Sequence, residues 1–197
     1  MGKTLPLSSN EVILKRSALR AQCSSSETLL EHLLEESMQR LTHFDKRGRA
    51  KMVDVSKKAE TLREAVVRGS IFMNPKTFKR IMSGEVSKGD VFAVARVAGI
   101  MAAKKTSEII PMCHPLSLSH VEVNFFPFEK ESRIDIEARV KIKAQTGVEM
   151  EGFVAVAIAG LTIYDMCKAI DRGMVLSNIH LAKKTGGKSG TYIANRR

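Results

Sequence analysis

Asp165 and Lys168 stand three residues apart, so a helix would place this acid and amine on one face. Such a pair can move protons, and Lys88 offers a second amine upstream. The same spacing also makes an ordinary intrahelical ion pair, and the local sequence does not choose between the two. Glu149 and Glu151 open the apolar stretch that ends at Asp165. They can accept hydrogen bonds from a ligand's N–H groups or simply complement a helix dipole. Gly186-Gly-Lys188-Ser-Gly190 looks like a phosphate loop, yet Ala182 stands where the Walker pattern needs its first glycine. Only seven residues follow Gly190, too few for the helix that such a loop requires. A P-loop nucleotidase is therefore set aside. What remains is a basic segment with Lys183, Lys184 and Lys188, able to close on phosphates or to fray as a terminus. Cys113-His114 lies in a loop between Pro111 and Pro115 and lacks a third ligand at a metal spacing. No metal site is read there, and His114 suits a fixed hydrogen-bonding group. Arg63 and Lys88 are ordinary cations until a fold brings them to something.

The elements that must carry these residues are legible in the hydrophobic periodicity. Residues 62–73 alternate, with Ala65, Val67, Gly69, Ile71 and Met73 on one face of a strand. A helix through Leu62, Ala65, Val66 and Gly69 stays open. Asn74-Pro75 starts a short helix running to Gly84, and Lys88-Gly89-Asp90 caps a second, to about Lys105. Two half-buried strands follow the Pro111–Pro115 loop, one around Val121, Val123 and Phe125, the other from Ile134 to Ile142. A long helix is expected over about 148–171 and a last strand from Met174 to about Lys183. Met52-Val-Asp54-Val-Ser56 reads as one more short strand. The order strand, helix, strand, strand, helix, strand is an α+β arrangement of the ferredoxin-like, split βαβ kind, with helices on one face of an antiparallel sheet. The other face, or an edge, would be exposed in a monomer, so oligomerisation is expected. Upstream, Ser24-Ser-Ser-Glu27 offers a capping box before Leu29, Leu30, Leu33 and Leu34. Residues 1–40 are thus an extension bearing an amphipathic helix at about 25–41; the domain spans 41–190, and 191–197 form a tail.

Composition narrows the partners. The formal net charge is +11 over 197 residues. Residues 1–37 hold four Lys/Arg and five Asp/Glu, so the rest carries +12. A basic body favours an anionic partner such as a nucleotide, a polyphosphate or a nucleic acid. Hydrophobic residues make up 44%, enough for a core, but with no Trp, two Tyr and eight Phe that core must be aliphatic. Cys23, Cys113 and Cys167 form no disulfide or zinc spacing and suit a reducing cytoplasm. The longest uncharged helical run, Gly152 to Tyr164, is 13 residues, which reads as a buried helix and not a membrane span.

Several segments taken together resemble the cyclic pyranopterin monophosphate synthase family, molybdenum cofactor biosynthesis protein C. They are Leu41-Thr-His43, Met52-Val-Asp-Val-Ser56, Lys88-Gly-Asp90, Pro111-Met-Cys-His-Pro-Leu116, Thr146-Gly-Val-Glu-Met-Glu151, Leu161-Thr-Ile-Tyr-Asp-Met-Cys-Lys168 and Lys184-Thr-Gly-Gly-Lys-Ser-Gly190. The likeness runs in order from about 40 to 190. Gly152 stands where the family pattern leads one to expect Ala, and residues 1–37 have no counterpart. The resemblance implies a ferredoxin-like fold and hexamers built as trimers of dimers, with sites between subunits. It also implies a lyase reaction in which 3′,8-cyclo-7,8-dihydro-GTP becomes cyclic pyranopterin monophosphate and diphosphate. By the same resemblance Asp165, Lys168 and Lys88 are catalytic, and Arg63, Met112, Cys113, His114, Glu149, Met150, Glu151, Lys184 and Lys188 bind substrate. No metal or other cofactor is implied, although Mg²⁺ can accompany a triphosphate. If sites are shared, Lys88 and Lys168 are candidates to come from different subunits. The alternative from another class, a ferredoxin-like RNA-binding module, wants aromatics on its central strands; Phe125, Phe126 and Phe128 crowd at one end instead.

Overall fold

The computed structural model describes residues 47–195. The helix expected at 25–41, the boundary near 40 and Leu41-Thr-His43 lie outside them. Asp54–Arg197 form one compact unit, which holds the elements below.

Strand β1 (Thr61–Phe72) is followed by helices α1 (Pro75–Met82), α2 (Val91–Ala103) and the single turn α3 (Thr106–Ile109). Then come β2 (His120–Phe128), β3 (Arg133–Ala144), the long helix α4 (Glu149–Cys167), β4 (Val175–Thr185) and the two-residue β5 (Tyr192–Ile193). The sheet order is β2-β3-β1-β4-β5 with every pair antiparallel. The first four strands give the ferredoxin-like arrangement that the sequence order implied. The β reading of 62–73 prevails over the helical one because Ala65, Val67 and Ile71 are buried on one face while β3 and β4 pair both edges of the strand.

The core lies between sheet and helices. Ile134, Ile136 and Ala138 of β3 meet Ala155, Val156, Ala159 and Ile163 of α4. Gly152, expected to loosen the start of α4, lies close against β1: a Cβ there would come within 2.7 Å of Val67 Cγ2, so Val67 would have to shift. Helix α4 is long and apolar enough by composition to cross a membrane, but 56% of that window is buried against the rest of the fold, as suits a core helix.

Met52–Ser56 is not a strand. Asp54 instead accepts from the Ser56 N–H at 2.9 Å and its hydroxyl at 2.7 Å, turning the chain before β1. The sheet face away from the helices is polar and knitted by ion pairs. Glu64 sits among Arg139, Lys141 and Lys183, Glu137 links Arg68 to Arg139, and Arg133 holds Asp135 while stacking over Phe128. The segment after β4 is ordered as a turn: Tyr192 and Ile193 pair with Lys184 and Lys183, and the Gly190 N–H donates to Gly187 O.

Candidate active site

The expected site residues gather at the two ends of α4. At its C-terminal end Asp165 takes both amines. Lys168 Nζ lies 2.7 Å from Oδ1, and Lys88 Nζ donates at 2.9 Å to Oδ2 and at 2.9 Å to the Asp165 carbonyl. Lys88 lies on the turn between α1 and α2, where Gly89 adopts φ +94° and the Asp90 side chain caps α2 at Ala93 N–H. Hydrogen bonds from Lys168 and then Lys88 hold the Asp165 carboxyl down to about 2. The same contact raises the Lys168 amine above its usual range. Lys88 and Lys168 reach one carboxylate within one chain.

At the N-terminal end burial governs. Glu151 is 3% exposed, and desolvation, reinforced by the Glu149 charge, raises its carboxyl above the ordinary range. Glu149 pairs with Lys184 of β4 at 3.0 Å. Cys113, half-buried in the loop with Met112 and His114 beside it, has its thiol pushed up by burial and then by the Glu151 charge, which places that loop against the head of α4. Met150, between the two glutamates, is 38% exposed.

Arg63 on β1 is aimed by two backbone acceptors, Nε to Ala144 O and Nη2 to Gln145 O, both 2.9 Å. The Gly186-Gly187 turn lies directly on it. A Cβ on Gly186 would strike the Leu62 carbonyl, one on Gly187 would strike Arg63 Nη1, and both glycines have positive φ. This glycine pair is thus a close backbone approach, neither a phosphate loop nor a frayed end. Beside it Lys58, Arg63, Thr146 and Lys188 line a cleft of about 440 Å³. Lys58 was not singled out from sequence, because an isolated lysine before a strand carries no signal until Arg63 and Lys188 stand next to it. Among the described residues no three His, Cys, Asp or Glu side chains converge to hold a metal ion.

Residues 52–187 match the family model described as MoaC family. The chain belongs to the MoaC family. Proteins named cyclic pyranopterin monophosphate synthase are close relatives. That of Heliobacterium modesticaldum is 60% identical over 156 residues, covering 79% of this chain and 98% of its own length. That of Thermoanaerobacter pseudethanolicus is 61% identical over 152 residues, covering 77% and 96%. That of Pelotomaculum thermopropionicum is 57% identical over 155 residues, covering 79% and 91%. The matched region of this MoaC family member includes both ends of α4, the Cys113 loop and Gly186-Gly187. Residues 1–51 precede it.

Proposed function

We propose that this chain is a lyase that converts 3′,8-cyclo-7,8-dihydro-GTP to cyclic pyranopterin monophosphate with release of diphosphate, in molybdenum cofactor biosynthesis. Membership of the MoaC family and the shared name of its relatives support the reaction. The observation that carries the mechanism is the Lys88–Asp165–Lys168 cluster, two amines on one carboxylate at the surface. Opening the purine five-membered ring and closing a pterin needs several proton transfers, and no electron transfer. Lys168 and Lys88 supply and accept those protons, and Asp165 holds both amines in place until substrate arrives. At the other end of α4, Glu149 and Glu151 accept the N–H groups of the guanine-derived ring, while the Met112–His114 loop and Met150 flank it. Arg63, His114, Lys184, Lys188 and Lys58 neutralise the phosphates. The reaction calls for no cofactor, and any Mg²⁺ arrives with the triphosphate. The free thiols Cys113 and Cys167 suit a reducing cytoplasm.

Glu149 and Asp165 lie about 24 Å apart along α4 at 1.5 Å per residue. Acid–base groups act within about 3 Å of the atoms they serve. A site that uses both ends therefore draws one end from each of two chains, as in a two-fold dimer. Val94, Val97 and Met101 recur along one face of α2 and are 45%, 57% and 54% exposed, an apolar stripe that a second copy would cover. We propose a dimer as the working unit and a hexamer of three dimers as its assembly.

The decisive assay is incubation with the cyclised GTP intermediate, following diphosphate and pterin fluorescence after oxidation. Absence of both products from a folded, assembled chain would refute the reaction. Shared sites have their own test. Mixing unfolded Lys168→Ala and Glu151→Gln chains and refolding them together should recover roughly a quarter of wild-type sites. Lys88→Ala mixed with Lys168→Ala should recover none.

A further inference from the structure

Helix α1 has no cap of its own. Asn74 occupies its N-cap position, with φ −65° and ψ 147°, but makes no side-chain cap hydrogen bond. The anionic acceptor comes instead from the far side of the layer. Asp171, 4% exposed and three residues beyond Lys168, accepts the Asn74 N–H at 2.8 Å and the Thr77 hydroxyl at 3.2 Å through Oδ2. Its Oδ1 accepts the Gly173 N–H at 3.0 Å, and its own N–H donates to Cys167 O at 3.0 Å. The carboxylate thus sits at the positive end of α1 while its backbone completes the last turn of α4.

A closed circuit results. From Asp165 the chain runs to Asp171, crosses by hydrogen bond to the head of α1, follows α1 to its end and turns through Gly84 to Lys88. The Lys88 amine then returns to Asp165. The buried Cys167 thiol, inside this circuit, feels the charges of both Asp171 and Lys88. Neither Lys88 nor the loop bearing it makes any other side-chain hydrogen bond to α4 among those described besides the two to Asp165. Lys88 stands between α1 and α2, with Val86 and Val91 on either side buried in the core; its reach depends on both helices, and the Asp171 carboxylate fixes the head of α1 to the end of α4.

We propose that Asp171 is a positioning residue: by tethering α1 to the end of α4 it sets the placement of Lys88 against Asp165 and Lys168. This rests on the reaction proposed above for its catalytic consequence, but not for its geometric one. Asp171→Asn keeps the size, but its amide cannot accept from all three donors, so the tether loosens.

The experiment uses the full-length chain with three variants, Asp171→Asn, Asn74→Ser and the two combined. Asn74→Ser offers α1 a cap within its own sequence and adds no charge beside Asp171. It should leave turnover as in wild type. Asp171→Asn should lower kcat by about tenfold with KM within a factor of two, and melt earlier. The double variant should regain the melting temperature but not kcat. Acylation of Lys88, followed by mass spectrometry against the exposed Lys143 of β3 as reference, should quicken by about fivefold in both variants that lack Asp171. Recovery of kcat together with melting in the double variant, or an unchanged Lys88 acylation rate, would reduce Asp171 to a helix cap and overturn the proposal. A wild-type chain that turns nothing over would sink the reaction, while the acylation arm would still decide the placement of Lys88.

Discussion

The two ends of α4 hold charge in opposite ways. At the C-terminal end, Asp165 and Lys168 are more than half exposed, and their ionisation is fixed by partners: hydrogen bonds from two amines drive the carboxyl down to about 2. At the N-terminal end Glu151 is enclosed, and desolvation drives its carboxyl up. One helix therefore carries a carboxylate that resists protonation and another that invites it, separated by four turns of apolar core. Water sets the rule at one end, and its exclusion sets the rule at the other. Variants at the first end should change chemistry with little effect on folding, and variants at the second should change both.

The largest expected effect is on turnover at the exposed end. Lys168→Ala should slow kcat by roughly 100-fold or more while hardly moving the melting temperature, because an exposed pair contributes little to folding. Measuring kcat and thermal melting together tests this. Near-normal turnover would make this end of the helix a scaffold.

At the buried end, Glu151→Gln should lower turnover by about tenfold or more and also raise the melting temperature at pH 7. The sign follows from linkage. The folded chain binds the Glu151 proton more tightly than the unfolded chain, so stability is greatest at low pH and falls as pH rises through the raised folded value. Glutamine removes that loss. Its advantage should vanish below about pH 4, where the unfolded carboxyl is protonated too. Melting curves of both proteins across pH that stay parallel would contradict the buried, proton-retaining Glu151.

Gly187→Ala should show a smaller effect. It forces a Cβ into Arg63 Nη1 at a backbone with φ +75°, and should cost about 1–3 kcal/mol in denaturant titration while raising KM more than it lowers kcat. An unchanged KM would detach Arg63 from phosphate binding.

The smallest effect is a titration. The Asp165 carboxyl signal, followed by NMR, should stay that of the ion down to pH 3 in the wild type and move upward toward the ordinary aspartate value in Lys168→Ala. In stability terms this contribution is present above the unfolded value and lost as pH falls through about 2. A midpoint near 4 in the wild type would mean that the two amines do not hold Asp165 in solution.

The sequence alone determined the periodic part of this protein. Alternation along β3 and its neighbours, the Asn74-Pro75 and Asp90 starts and the apolar run of α4 each follow from local spacing, and together they set the ferredoxin-like order of the sheet. It also marked Asp165, Lys168, Glu149 and Glu151 as reactive types, since i,i+3 spacing is a local property. Local spacing misled at Met52–Ser56, where alternating Val suggests a strand but no neighbouring strand pairs with it, and Asp54 turns the backbone instead. Only the tertiary structure decided the pairings. Lys88 meets Asp165 across 77 residues, Arg63 is aimed by carbonyls 81 and 82 residues away, and Asp171 caps a helix 97 residues upstream. Gly152 and Gly187 lie close against Val67 and Arg63, which the sequence places nowhere near them. The physical reason is one of range. Helix and strand signals are set by the rotation per residue, whereas burial and ion pairing belong to surfaces that exist only once the sheet has closed against α4.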